Sequence, residues 1–275
     1  MPKRAAGKLL LLLLTLLLLP AAGPALADGW QTVAPGLELG RFKAHLQAKL
    51  GDSTLTVLRV NPGLWRFRLL AASQYDKRPH TVEAWAQKMK LTAVANAGMH
   101  RKDLLTATGY LKNFHHLNNR RLTPDYHSVL AFNPTTSAAP DVKLYDLKCE
   151  PFFGFQKHYE TLVQGIRMLS CLGENRWTPR ERKFSIASLA QDAKGNVLFI
   201  ISRSPYRARD FVDIVTRLPL GAQRMMYLEG GAQASLFVAA GGQTIRAMGM
   251  PPEGPVGDKG RKFQDVPNVL GIVKR

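Results

Sequence analysis

Cysteine is almost missing from this chain: Cys149 and Cys171 are the only two in 275 residues. That excludes a disulfide-stapled miniature scaffold and a Cys/His zinc framework. Neither cysteine sits in a recognisable nucleophile motif, so the two either bridge in an oxidising compartment or remain buried thiols. Acidic residues are also scarce, with 20 Asp+Glu against 38 Lys+Arg and a net charge of +18. Such a field favours anionic partners: phosphates, acidic glycans, membrane headgroups or nucleic acid. The basic residues are scattered and not gathered with aromatics on one face, which argues against nucleic acid. There is no solenoid repeat, no convincing linker, no HExxH and no GxSxG elbow. The seven histidines, His100 and the adjacent His115 and His116 among them, form no ligand set, so neither a protein-held metal nor a cofactor is expected. At 45% hydrophobic and 21% charged residues, the composition excludes a disordered, collagen-like or coiled-coil chain.

Long apolar runs are missing too, with one exception. Lys3, Arg4 and Lys8 precede a run from Leu9 to Leu19 broken only by Thr15, and Pro20 and Ala25-Leu26-Ala27 follow. Charge, length and small residues read together as a secretory signal peptide over residues 1–27, cleaved after Ala27. The run is about half the roughly 20 residues a spanning helix needs, so no stable membrane anchor is expected. No cysteine follows the small residues to carry a lipid. The protein is therefore expected to be exported, to the periplasm or the extracellular space, with residues 28–275 as its functional domain.

Within that domain, residues 53–60 and 64–72 are apolar and β-branched around Asn61-Pro62-Gly63, a pattern that predicts a hairpin. Thr81 is placed to cap a helix through Lys88, with Val82, Trp85, Ala86 and Met89 on one face. Strands are expected at 91–95, 127–133, 142–147, 183–189, 197–202, 224–228, 234–239, 243–250 and 269–273. Ser204-Pro205 predicts a second helix start, with Phe211, Ile214, Val215 and Leu218 as its buried stripe. Pro251 to Asp265 reads as a surface loop. The economical fold is one α+β domain, a mixed β-sheet core flanked by helices.

Three strand ends carry residues that packing alone does not explain. Asn96-Ala97-Gly98 follows a buried strand and leads to His100, Asp103 and Gly109; it offers an amide and a glycine for close ligand approach, or an ordinary turn. Glu229 ends an apolar strand before Gly230-Gly231, with Ser235 beyond, a placement that suits an acid, a base or a sugar-hydroxyl acceptor. Gln164-Gly165-Ile166-Arg167 sets an arginine in an apolar run, where its fork matches a phosphate or a structural carboxylate partner.

In this order the segments resemble the phosphodiester glycosidase family, the secreted bacterial relatives of the mannose 6-phosphate uncovering enzyme. The family's Asn-Ala/Gly-Gly strand end is matched by Asn96 to Gly98, with Asp103 and Gly109 after it. Its Gln-Ser-Gly-Pro-Met-Leu segment looks like Gln164 to Leu169, and its Arg-x-Gly-Val strand like Arg182 or Lys183 before Ser185-Ile186-Ala187. Its Ile-Ser strand end is matched by Ile201-Ser202, and its Leu-Asp-Gly-Gly turn and serine by Leu228 to Gly231 with Ser235. Glu229 replaces the family's Asp, Gly165-Ile166-Arg167 replaces Ser-Gly-Pro, and a Gly-Asn-Phe segment expected before residue 127 is not visible. This is the pattern of a divergent member.

The resemblance implies a hydrolase that cleaves the glycosidic bond of a sugar 1-phosphodiester in an envelope or extracellular glycan. The alternative is a catalytically inactive protein of the same fold that binds phosphorylated or acidic glycans. The implied catalytic residues are Glu229 and Asp103, to activate water or steady the developing sugar cation. The implied substrate-binding residues are Asn96, Gly98, Gln164, Arg167, Arg182, Lys183, Ser202, Gly230, Gly231 and Ser235. A phosphate leaving group is a weak base, so fixed donors aimed at it, worth roughly 3 kcal/mol each in the transition state, matter more than a second acid.

Overall fold

The computed structural model describes residues 29–251 and 261–275. The expected signal peptide and most of the expected loop from Pro251 to Asp265 lie outside the described residues. What is described is mostly β, arranged as three sheets around a shared core. The seven-stranded sheet runs in the order Gly29–Ala34, Leu37–Lys43, Thr54–Val60, Val197–Tyr206, Phe184–Asp192, Ala222–Gly230, Arg167–Leu169. A five-stranded sheet follows the order His116–Asn119, Leu111–Asn113, Tyr159–Gly165, Ser128–Pro134, Val142–Asp146. The other five-stranded sheet follows Gln243–Met248, Ser235–Ala240, Ala93–Asn96, Asn268–Lys274, Trp65–Ala71. Every pairing among the described strands is antiparallel, which corrects the expected mixed sheet. The α+β label fits loosely, because β structure dominates and the helices are few and short.

Alternation explains how three sheets share one interior. Trp65, Phe67 and Leu69 point inward while Arg66 and Arg68 face outward, the period of a half-buried strand. They meet Leu58, Phe199 and Leu189 from the large sheet and Leu130, Phe132 and Val163 from the second sheet. Phe67 stands at 6.1 Å from the ring centroids of both Phe132 and Phe199, so one side chain ties all three sheets. Each such ring contributes roughly 1.5–3 kcal/mol by leaving water.

The outer faces are covered by helices. Val82–Met89 packs Val82, Trp85 and Ala86 on the third sheet with Leu70, Val94 and Phe237, and Thr81 caps it by accepting from the Ala84 N–H at 3.1 Å. Ala208–Arg217 lays Phe211, Val212, Ile214 and Val215 on the large sheet. Phe152 and Phe155 cover the second sheet beside Tyr145 and Tyr159. No helix among the described residues is long and apolar enough to cross a membrane.

Two expectations are corrected here. The strands flanking Asn61-Pro62-Gly63 exist, but they do not pair as a hairpin. Thr54–Val60 pairs with Leu37–Lys43 and Val197–Tyr206, whereas Trp65–Ala71 pairs with Asn268–Lys274. The turn, closed by the Leu64 and Trp65 N–H groups on the Asn61 carbonyl at 3.1 Å, passes the chain from one sheet to another across the core. Ser204-Pro205 does not open a helix either. Both lie at the irregular end of Val197–Tyr206, where the pairing with Phe184–Asp192 shifts register and a proline needs no ladder N–H. Ser204 Oγ accepts from the Ser53 N–H at 2.8 Å, and the helix begins three residues further on, at Ala208.

Candidate functional site

Asn96 closes the short buried strand Ala93–Asn96, which lies between Ser235–Ala240 and Asn268–Lys274. With 1% of its surface exposed, its amide must find partners inside the protein. Nδ2 donates to the Gln233 carbonyl at 3.0 Å, and Oδ1 accepts from the Ser235 N–H at 2.8 Å. Ser235 Oγ donates to the same Gln233 carbonyl at 2.8 Å. Asn96 and Ser235 therefore hold the turn Gly231–Gln233, with Gly231 in the left-handed region at φ +63°.

That turn directly follows Glu229. The strand Ala222–Gly230 is bulged here: Glu229 stands opposite Ala187 and Tyr227 opposite Ser188, three residues facing two. A bulge re-aims the side chain it displaces. Glu229 is 8% exposed; Oε1 accepts from the Gly230 N–H at 2.9 Å, and no cation pairs with it among the described residues. Burial pushes its carboxyl pKa up, with the Gly230 N–H and the nearby His100 pulling partly the other way.

His100 is fixed by two contacts, Nδ1 to the Arg101 carbonyl at 3.0 Å and Nε2 to Gln233 Nε2 at 3.2 Å. A carbonyl only accepts, so Nδ1 carries a proton, while Nε2 faces the Gln233 side-chain amide. His100 and Glu229 thus flank the same turn. Tyr227 completes the neighbourhood. Burial first, and then the Glu229 charge, push its phenol pKa up, while Arg182 acts against them. A Cβ at Gly230 would overlap the Tyr227 hydroxyl, so glycine is required there for close approach. The Trp177 ring lies 5.3 Å from that of Tyr227, centroid to centroid.

The other expected site residues fall into two groups. Arg182 and Lys183 are exposed at the entry of Phe184–Asp192, beside the strand that carries Glu229. Gly98, at φ +93°, lies 3.9 Å from the Gln164 carbonyl at its Cβ position. Asn96 and Ser235 are joined to the turn after Glu229 by hydrogen bonds, with Gly230 and Gly231 leading into that turn. The remaining side chains are engaged in holding the fold. Gln164 Oε1 accepts from the Tyr110 and Thr123 N–H groups at 2.9 Å, and Nε2 donates to the Thr123 and Tyr126 carbonyls at 3.0 and 2.6 Å. Ser202 Oγ donates to the Ser204 carbonyl at 2.9 Å within the buried strand.

Arg167 Nη1 meets both carboxylate oxygens of Asp146 at 2.8 Å, with 10% and 1% of the two side chains exposed. The structural partner that the sequence left open is therefore present. Asp103 Oδ1 accepts from the Leu105 and Thr106 N–H groups at 3.0 and 2.9 Å, and Oδ2 from Thr106 Oγ1 at 2.6 Å. The Thr106 hydroxyl, then these N–H groups, lower its pKa to about 2. Among the described residues no hydrogen bond or ion pair joins Asp103 to Glu229. Cys149 and Cys171 form a disulfide, which removes the thiol alternative. Asp146 lies close to both sulfurs, but the sulfurs are bonded to each other and the carboxylate to Arg167, so this cluster is no metal site.

Sequence reasoning missed the roles of Tyr227, Gln233, Trp177 and His100. Tyr227 had a signal, a phenol two residues before a candidate carboxylate. The others had none, since their relevance comes from contacts between distant segments.

Residues 89–273 match the model of the phosphodiester glycosidase family. No curated protein sequence matches the chain. Among solved structures, the catalytic domain of zebrafish N-acetylglucosamine-1-phosphodiester α-N-acetylglucosaminidase, auto-inhibited by its pro-peptide, superposes with a TM-score of 0.62 at 13% identity, covering 90% of this chain and 87% of that one. A hypothetical protein from Synechocystis gives 0.59 at 13% identity, over 90% of this chain and 64% of the other. A Burkholderia pseudomallei protein classed as exported gives 0.51 at 12% identity, over 80% and 74%. At these identities the structural likeness is one of fold.

Proposed function

The chain belongs to the phosphodiester glycosidase family, and from that premise we propose that it is an exported hydrolase cleaving the glycosidic bond of a sugar 1-phosphodiester in an envelope or extracellular glycan. Residues 28–275 act as the catalytic domain after removal of residues 1–27. The observation that carries this reading is the buried Glu229 carboxyl, re-aimed by a bulge, without a cationic partner among the described residues, and followed by a turn that Asn96 and Ser235 lock.

In this reading a water oxygen bonds to the sugar C1 as the C1–O bond to phosphate breaks. The electron pair leaves with the phosphate, giving a free sugar and a phosphate monoester. Glu229 as carboxylate takes the water proton or steadies the positive charge growing at C1. Its raised pKa makes it a stronger base than an exposed glutamate once ionised. The phosphate departs without a strong acid. Arg182 and Lys183, with the N–H of Gly231, supply positive potential on the open side, while the Gly230 N–H is held by Glu229 itself. Asn96, Ser235 and Gln233 position the turn, Gln164 braces the neighbouring segments around Tyr110 and Tyr126, and Asp103 shapes its own loop.

A second reading, the binding protein that holds the same ligand without turnover, is favoured by one observation: the side chains of Gln164, Arg167 and Asp103 are engaged within the fold. Incubating the exported protein with a sugar 1-phosphodiester and assaying phosphate monoester and free sugar separates the two. Turnover that is lost in Glu229→Gln supports the hydrolase; binding without turnover on any sugar phosphodiester overturns it.

A further inference from the structure

We propose that the cavity walled by Tyr126, Trp177, Arg176 and Arg180 is a subsite for a second phosphate on the leaving-group side, so that the preferred substrate is a glycan with repeating phosphate links. The proposal rests on the hydrolase reading for the position of the scissile bond. The cavity holds about 560 Å³, inside the range of roughly 300–1,000 Å³ typical of small-ligand sites. It adjoins Glu229 through Tyr227, against whose ring Trp177 packs.

The wall is built and not a loose loop. The Arg176 N–H donates to the Met168 carbonyl at 2.8 Å. Asn175 Nδ2 donates to Asp213 Oδ1 at 2.7 Å and to the Arg209 carbonyl at 2.9 Å. Arg209 Nη1 donates to the Trp177 carbonyl at 3.2 Å. The backbone is thus pinned to the helix Ala208–Arg217, while the guanidinium groups of Arg176 and Arg180 remain exposed.

The charges lining the cavity do not cancel. Arg167, at its inner edge, is neutralised by Asp146. His127 is held towards the neutral form by burial, and then by Lys148 and Arg167. Asp125 is the carboxylate of the lining. Among the described residues Arg176 pairs only with the similarly exposed Glu174 at 3.3 Å, a surface contact worth little. Arg180 makes no hydrogen bond or ion pair among the described residues. Two guanidinium groups beside an aromatic face fit a phosphate carried on a ring or polyol. Arg180 precedes Arg182 by two residues, so their Cα atoms lie within about 7 Å of each other at the strand entry. In the proposed arrangement Arg182 and Lys183 face the departing phosphate, and Arg176 and Arg180 the next phosphate along.

The test compares a methyl ester of a sugar 1-phosphate with the same diester whose alcohol carries a second phosphate, using the wild type, Arg180→Gln and Arg176→Gln/Arg180→Gln. The expected result is a wild-type preference for the second substrate of at least tenfold in kcat/KM. That preference is lost in the double variant and reduced in Arg180→Gln, with the methyl ester unaffected. Equal losses on both substrates, or none on either, overturn the subsite and leave the hydrolase reading standing. Titration with inorganic tripolyphosphate, followed by tryptophan fluorescence, reads the subsite without chemistry. Binding at least tenfold weaker in the double variant supports it even where neither diester is turned over, an outcome that sinks the hydrolase reading alone. Tripolyphosphate binding unchanged by the substitutions overturns the subsite.

Discussion

Asn96 donates from Nδ2 to the carbonyl of Gln233 at 3.0 Å, a bond that joins the end of one sheet's buried strand to the turn after Glu229. The same side chain accepts from the Ser235 N–H. Asn96→Ala leaves that buried N–H without its acceptor and should lower stability by about 1–3 kcal/mol. Urea unfolding measures it, and a loss under 1 kcal/mol would show that water replaces the amide.

Glu229→Gln should move stability and activity in opposite directions. Burial raises the folded-state pKa, so the folded protein holds the proton more tightly than the unfolded chain. The protonated carboxyl is tolerated at low pH, and stability falls as pH rises through the folded pKa. Glutamine never ionises. The variant should match the wild type near pH 4 and exceed it in thermal stability at pH 8, while kcat on a sugar 1-phosphodiester drops on the order of a hundredfold. A variant no more stable at pH 8 than the wild type would mean that the carboxylate is solvated or paired in solution.

Asp103 separates loop shape from catalysis. Its carboxylate, lowered to about 2, contributes above its unfolded pKa, and that contribution is lost as pH falls through about 2. Because the group is exposed, Asp103→Asn should leave kcat within about threefold of wild type, the scale of an ordinary surface change. A loss rivalling that of Glu229→Gln would return Asp103 to the catalytic pair.

The Cys149–Cys171 bridge closes 22 residues of sequence separation, and Cys149→Ser/Cys171→Ser should cost about 3 kcal/mol in the chain-entropy account. Alkylation of denatured, unreduced protein should label no thiol. Two labelled cysteines would show the protein to be unbridged in solution.

What was legible in the sequence was local. The Thr81 cap, the stripe Phe211, Ile214, Val215 and most strand positions follow from neighbours a few residues apart, and Glu229 stood out because a carboxylate ended an apolar strand before two glycines. Sheet membership was not legible: the Asn61 turn looks the same whether its strands pair or cross the core. Strands as short as Leu111–Asn113 and Arg167–Leu169 carry too few residues for a period. The bulge at Glu229 is a register shift against a partner some 40 residues away and leaves no local mark. The same holds for Gln164, which the family resemblance singled out as a binding residue but whose four hydrogen bonds go to Tyr110, Thr123 and Tyr126, 38 to 54 residues off.

Arg167 is the sharpest case, because its fork suits a phosphate as well as Asp146, and the two roles predict different behaviour. Asp146 is almost fully buried. Burial alone would raise its pKa, but the bonds from Arg167 and from the Lys148 and Cys171 N–H groups outweigh it, and the net shift is downward. The pair therefore contributes stability above the unfolded pKa of Asp146, and that contribution is lost as pH falls through the folded value. Arg167→Met strands the carboxylate and should cost about 3–5 kcal/mol at neutral pH. The deficit should narrow below pH 4, where the lone acid protonates. Adding Asp146→Asn should recover part of the loss, since the buried charge is then gone. A destabilised Arg167→Met with an unchanged KM for the phosphodiester fixes the arginine as a brace for the disulfide-linked loops. A stable variant with a raised KM would place its guanidinium on the substrate phosphate instead.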